Sequence, residues 1–594
     1  MAFLTFLSAV AVAVIALVLK LTVFAPKQRI PKGLKPLPGP KGYPILGSVP
    51  EVPEQNSHIK FFEWGKQYGP IYQCDLAGTN HVWISTDRIA RDVLSKKAAV
   101  NSDRPHIPAL LHDNRTSAEY LPLMSKNPHW TRQRKVAGHI MRESASHKFY
   151  RYPELESIRL LQEMLDEPSQ YNHALESFIS RVTCRLAWGH AEASEELKQR
   201  ARELLIGVSP TGALGNKIPF VMGLPDWLSP AKAWERRRQR TERKYFEIMQ
   251  EQVRREMNEK HAPQSWMRTL LETWSKWDFS YDLEAAFCVG MHGIAGALTV
   301  AAPMQTFCLA MCYYPQFLPI LHEELDRVCG DRLPRAEDRP NLPVLRAFIR
   351  ECLRWRPPVP TGIPHCSTQD DEYEGYHIPA GSVMHPLEWA IAREPDLFPD
   401  PEAFNPLRWL EPSYPTYREP LTEYPNITNI TQFGYGRRLC QGQGVADEDM
   451  LIGIGAMAWL FDIKKSAPAH DSIYANQKAT ISTEELATGV SPHESDDEDV
   501  LDEKATFRYD YPGAFPPYDP GNAGAKEKQM LEYEDAIKGM DGKPIDPTLN
   551  YSHLLIAKPL PFKFELTEQR EQGEFSESRV YWGDNKGELG WGKV

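Results

Sequence analysis

Cysteine is scarce in this chain: nine among 594 residues, odd in number and scattered, with no C-x-x-C pair. That excludes a disulfide framework and a zinc knuckle, and it suits a reducing, cytosolic setting. Basic residues are outnumbered, leaving a net charge of −11 and no cationic surface of the kind that nucleic acid requires. Repeats of solenoid period are missing too. Charge is absent from residues 2–19 (AFLTFLSAVAVAVIALVL), and residues 21–25 extend the apolar run past Lys20. A helix of that length spans a bilayer. Lys20, Lys27, Arg29, Lys32 and Lys35 follow it and no charged side chain precedes it, which keeps the bulk of the chain cytosolic. A cleaved secretory signal is the competing reading. The missing basic leader and the lack of a small-x-small site before Pro26 oppose it, so residues 1–25 read as an uncleaved transmembrane anchor.

What is present divides by texture. Residues 26–44 form a proline-rich hinge, with Pro36, Pro38, Gly39, Pro40, Gly42 and Pro44 unable to continue a helix. Residues 81–85 have strand character. From Trp130 to about Asp326 the pattern is mostly helical, including a charged amphipathic stretch at 231–259, and residues 345–354 predict another helix. Residues 376–387 read as short extended segments around a Pro379-Ala-Gly381 turn. After Lys465 the composition turns polar, with an acidic cluster of Glu494, Asp496, Asp497, Glu498, Asp499, Asp502 and Glu503. Residues 466–550 cannot bury enough apolar surface to offset their ordering entropy, so they read as a largely solvated insertion, or as an acidic partner-binding segment. Strand-like text resumes at 552–557 and 561–566. The expected class is mostly α with small β-sheets (α+β). Residues 45–465 form one catalytic domain, and residues 551–594 add its completing strands and a tail.

Chemistry concentrates in residues 433–442 (FGYGRRLCQG). Gly434, Gly436 and Gly442 permit the tight turns that bring backbone amides close to the Cys440 sulfur. An apolar run at 450–461 begins about three helical turns later, placing the sulfur near a helix N-terminus, where a thiolate is favoured. Phe433 would shield the sulfur and Arg438 would hold an anionic group. Trp130 and Arg134 lie one helical turn apart, and both donate to carboxylates. Glu351 and Arg354 share a helix face, a pattern often meaning no more than a surface ion pair. The small-residue stretch 293–299 ends in Thr299, whose hydroxyl can serve chemistry or bond back to the Ala295 carbonyl.

The pattern Phe433-x-x-Gly436-x-Arg438-x-Cys440-x-Gly442 resembles the haem-binding loop of the cytochrome P-450 monooxygenases. Trp130-x-x-x-Arg134, Glu351-x-x-Arg354 with Arg408, and Ala295-Gly296-x-x-Thr299 match further motifs of that family. The resemblance covers about residues 36–463 and resumes near 554–566, leaving 466–550 outside. It implies a single large haem domain of the cytochrome P-450 fold behind an N-terminal membrane helix. Haem b would take Cys440 as its axial iron ligand. Trp130, Arg134, His365 and Arg438 would hold its carboxylates, while Phe433, Gly436 and Gly442 shape the loop. Glu351, Arg354 and Arg408 would lock the fold behind the cysteine. Thr299 would be catalytic, and Ala295, Leu298, Val359, Thr361 and Ile363 would line the substrate pocket. The implied reaction inserts one oxygen atom from dioxygen into a small lipophilic organic substrate. The chain has no flavodoxin-like phosphate loop, so electrons would come from NADPH through a separate flavoprotein reductase, with cytochrome b5 as a second donor. Arg132, Lys135 and Arg437 would form the docking face. The implied location is the endoplasmic reticulum membrane. Residues 414–425 (YPTYREPLTEYP) are similar to fungal members working in secondary metabolism. Leu298 departs from the family, which usually has an acid there to relay protons. That departure leaves open a haem-thiolate isomerase or dehydratase that needs no dioxygen reduction. A non-catalytic haem-binding membrane protein is the remaining reading.

Overall fold

The computed structural model describes residues 30–210, 212–466, 537–538, 545, 552 and 555–568. The expected anchor, the start of the hinge, most of the insertion and the tail after 568 lie outside the described residues. The chain divides into two compact units, each gathered from separate stretches, and residues 45–465 contribute to both.

The first unit comprises Met1–Pro105, Val359–Glu394 and Asn429–Leu439. Its strands are β1 (Lys35–Pro36), β2 (Ile71–Leu76), β3 (Thr79–Ile84), β4 (His365–Cys366), β5 (Asp371–Tyr373), β6 (Tyr376–Ile378) and β7 (Val383–Pro386). They make a three-stranded sheet of order β1-β6-β5 and a four-stranded sheet of order β2-β3-β7-β4. Ala77 and Gly78 turn the β2–β3 hairpin with φ of 52° and 88°, the positive pair that matches strand twist. The Gly78 N–H donates to Asp75 Oδ1 at 2.9 Å and pins that turn. Helix α1 (Ser57–Tyr68) covers this sheet, stacking Phe61 on Trp83 at 3.6 Å. The hinge is partly built in: Lys35 pairs with Tyr376, and the Gln73 N–H donates to the Pro38 carbonyl at 2.8 Å. A Cβ on Gly39 would lie 1.8 Å from the Gln73 oxygen, so only glycine fits.

The second unit comprises His106–Pro358, Pro395–Thr428 and Cys440–Val594 and is mainly helical. Its principal helices are α2 (Pro128–Ser146), α3 (Tyr152–Asp166), α4 (Tyr171–Trp188), α5 (Ser194–Val208), α6 (Pro230–Asn258), α7 (Asp282–Thr299), α8 (Ala301–Tyr313), α9 (Leu318–Cys329), α10 (Pro343–Trp355) and α11 (Gln443–Leu460). Helix α7 runs through the core against α4, α5 and α6. Strands β8 (Phe461–Lys465) and β9 (Phe564–Glu568) pair antiparallel and bring the two ends of the insertion together.

Near the insertion's far end, a few described residues meet the folded body. Ile537 and Ile545 are buried, and the Ile545 N–H donates to the Ile537 carbonyl at 2.7 Å. Tyr313 Oη donates to the Ile545 carbonyl at 2.7 Å. Two isolated isoleucines carry no periodic signal, yet each finds an apolar site on the folded body. The Ser552 hydroxyl donates to the Ile556 carbonyl at 2.8 Å.

Candidate active site

In the second unit, Asn127 caps α2 by accepting the Trp130 N–H at 2.8 Å, and Pro128 occupies the first turn. The helix so started carries Arg134, with its guanidinium carbon 6.0 Å from the Trp130 ring centre. Burial holds the Arg134 pKa below its ordinary value, and Cys440 works in the opposite direction. Gln441, which sequence reasoning missed, donates from Nε2 to the Arg134 carbonyl at 2.8 Å. It ties the cysteine loop to the turn carrying that arginine. A side-chain amide beside a predicted ligand was the only available signal.

Helix α11 starts at Gln443, immediately beyond the loop, so Cys440 does stand at a helix N-terminus. Its thiol is nevertheless pushed up. Burial outweighs the Gly442 backbone N–H and Arg134, which both lower it. A bound metal cation must therefore displace the thiol proton. Of the nine free cysteines only Cys440 is exposed. The sulfur is thus accessible, yet the protein around it penalises its charge.

Helix α7 carries an open stripe. Its residues are buried from Glu284 to Leu298 except His292, Ala295 and Gly296, and Thr299 is again part-open. Those four positions follow the spacing i, i+3, i+4, i+7 and form one stripe. Arg134 acts electrostatically on both His292 and Cys440, which places stripe and sulfur around one guanidinium. Thr299 Oγ1 donates to the Ala295 carbonyl at 2.8 Å, leaving its oxygen free to accept. Leu298 is buried, 7 % exposed, and lies off the stripe. The glycines of α7 admit neighbouring side chains. A Cβ on Gly290 would lie 2.5 Å from Phe246, one on Gly293 3.1 Å from Trp188, and one on Gly296 2.9 Å from Thr183.

Glu351 is wholly buried and accepts five hydrogen bonds. Arg354 Nη2, Arg408 Nε and the Asn405 N–H reach Oε1 at 2.7, 3.0 and 2.9 Å. Arg354 Nε and Trp409 Nε1 reach Oε2 at 2.9 and 3.0 Å. Asn405 and Trp409 are donors that the sequence pattern did not reveal. Arg132 corrects the expected docking face: its Nη1 lies 2.7 Å from the buried carboxylate of Glu284. Lys135 and Arg437 are exposed.

The first unit carries the remaining predicted residues. His365 Nδ1 lies 2.8 Å from the Asn101 carbonyl, and Arg438 Nε donates to the next carbonyl, Ser102, at 2.6 Å. Burial first, then Arg104 and Arg438, push the His365 pKa down to about 3. The neutral ring carries its proton on Nδ1, so Nε2 must gain one before it can donate to a carboxylate. Arg104, also missed, donates to the Ile363 carbonyl at 3.2 Å. Val359, Thr361 and Ile363 are half-buried, alternating with buried Pro360 and Gly362. Gly436 has φ of 54°, and a Cβ there would lie 2.5 Å from the Leu94 oxygen. Phe433 is half-buried, next to Gly434 with φ of 85°.

The cytochrome P450 family model matches residues 37–484, three quarters of the chain. The chain belongs to the cytochrome P450 family. This P450 is 32 % identical over 437 residues to the cytochrome P450 monooxygenase virE of Hypocrea virens, covering 72 % of this chain and 79 % of the relative. It is 30 % identical over 445 residues to fogE of Aspergillus ruber, covering 72 % and 80 %. A zebra fish cytochrome P450 structure with abiraterone shares the fold at TM-score 0.55 and 19 % identity, covering 69 % of this chain and 93 % of that one. It is thus a cytochrome P450 monooxygenase of mostly helical fold with small sheets, and its family implies a haem-thiolate centre. The residues present fit haem: an accessible sulfur at a helix N-terminus, an open stripe on an apolar helix, and a desolvated guanidinium acting on both.

Proposed function

We propose that this P450 inserts one oxygen atom from dioxygen into a small, lipophilic organic molecule in fungal secondary metabolism. The observation that carries the reading is the accessible Cys440 thiol at the start of α11, with Arg134 acting on both it and His292 of the α7 stripe. Bound haem b would supply dioxygen activation, with the cysteine sulfur as electron-donating ligand. The chain's own residues do the rest. Arg134 and Trp130 would hold a haem carboxylate in the second unit; in the first, Arg438 would serve as a donor, and His365 only once its Nε2 gains a proton. Thr299 would accept a proton at Oγ1 from water and pass its own on, releasing its bond to Ala295. Ala295, Val359, Thr361 and Ile363 would supply apolar contacts. The relatives from Hypocrea and Aspergillus support the fungal setting.

Electrons would come from NADPH through a separate membrane-bound flavoprotein reductase, with cytochrome b5 as a second donor and Lys135 and Arg437 among the docking charges. Residues 1–25 would anchor the protein in the endoplasmic reticulum membrane with its catalytic domain cytosolic. Tyr43, Ile45, Leu46 and Val49, exposed at the end of the hinge and just beyond it, are consistent with a lipid surface nearby. Leu298 favours a second reading, an isomerase or dehydratase that consumes no reducing equivalents. Metabolite profiling of a strain lacking the gene, followed by turnover of the accumulated compound by purified protein and reductase, separates the two. Turnover without NADPH or dioxygen would refute the monooxygenase reading. Removal of residues 1–25 should release the protein from sedimented membranes.

A further inference from the structure

His292 is the polar group on the α7 stripe that the proposed reaction does not use. Its Nδ1 lies 2.6 Å from the Cys288 carbonyl, which can only accept, so Nδ1 carries the ring proton. Nε2 then holds a lone pair, and it makes no hydrogen bond among the described residues. The Trp266 ring meets the imidazole edge-on at 6.3 Å and fixes its plane. Half-buried, the ring shares the open face with Ala295, Gly296 and Thr299. Alanine and glycine offer nothing polar, and the threonine proton is directed at its own helix. Burial and Arg134 bring the imidazole pKa down to about 4, so at neutral pH the ring stays uncharged and accepts only. An acceptor of this kind on an otherwise apolar open face rewards a ligand that donates to it and penalises one that leaves it dry and unpaired.

We propose that His292 determines substrate specificity: Nε2 accepts a hydrogen bond from a hydroxyl or N–H of the substrate. The substrate class is thus a small, mostly apolar molecule bearing one such donor. This rests on the monooxygenase reading above. The test uses the full-length haem-loaded protein and two matched probes, 2-naphthol and naphthalene, titrated by the optical shift of the haem band. Wild type should bind 2-naphthol more tightly than naphthalene. His292→Phe and His292→Leu should each cut that preference by about threefold to tenfold, the worth of one neutral hydrogen bond. Naphthalene affinity should stay within about twofold, since the apolar contacts remain. His292→Gln, which keeps an acceptor, should restore most of the preference. A wild-type protein that does not distinguish the probes overturns the proposal, and so does a preference unchanged in both apolar variants. A nitrogen-ligated low-spin spectrum in ligand-free wild type, lost in His292→Phe, also overturns it, because the lone pair would then be on iron. The reduced carbon monoxide spectrum is recorded on each sample. A thiolate-type band with unchanged preference sinks this inference alone, whereas its absence from wild type sinks the haem-thiolate reading as well.

Discussion

Replacing Glu351 with glutamine changes one oxygen for an NH2 group and removes a charge. The carboxylate stands between two guanidiniums that are 2 % and 1 % exposed and is itself wholly buried. If the glutamine oxygen takes the Oε1 position, it still accepts from Arg354 Nη2, Arg408 Nε and Asn405. The amide then confronts the Arg354 Nε and Trp409 Nε1 donors with hydrogens of its own. Two bonds are lost to repulsion, and both arginines lose their carboxylate. Removing one member of a buried ion pair costs about 3–5 kcal/mol. Here Arg354 retains the Pro401 and Ala403 carbonyls and Arg408 the Pro399 carbonyl, which cushions the loss. The lower end, about 3 kcal/mol, is therefore expected, about two powers of ten in the folded-to-unfolded ratio. Urea unfolding followed by tryptophan fluorescence measures it, and transfer of haem to apomyoglobin measures retention. The loss should be the same at low and high salt, because buried pairs are little screened. A loss below about 1 kcal/mol, the range of a surface pair, with unchanged haem transfer would refute the account of this lock.

Cys440→Ser should abolish the thiolate-type band of the reduced carbon monoxide complex; its persistence would reassign the ligand. Leu298→Asp places a lone carboxylate in a buried position, so it should lower stability by about 3 kcal/mol without improving proton delivery. A rise in product formed per NADPH would show that residue 298 reaches the reacting centre after all. Glu388 is buried, with Oε2 accepting from Thr431 at 2.7 Å and Oε1 unpartnered among the described residues. Burial foremost, then Asp87 and Glu394, raise its pKa to about 8. The folded protein thus holds a proton that the unfolded chain releases near the ordinary carboxyl value. Its contribution to stability falls as pH rises from there to about 8, then levels. Glu388→Gln should flatten that part of the melting-temperature profile, and an unaltered slope would contradict the assignment.

Local chemistry was readable from the chain itself. Glycines at 434 and 436 announce positive φ, and a three-residue spacing puts Glu351 and Arg354 on one face. These features depend on φ and ψ preferences and on helix pitch, which short sequences encode. Three-dimensional packing decided the rest. It brought Asn405 and Trp409 onto Glu351 and hung His365 and Arg438 on adjacent carbonyls. It turned Leu298 into the core, and it gave the α7 glycines to Phe246, Trp188 and Thr183. Each of those outcomes depends on which distant side chain arrives to fill a space or take a proton. Spacing along the chain carries no record of that choice.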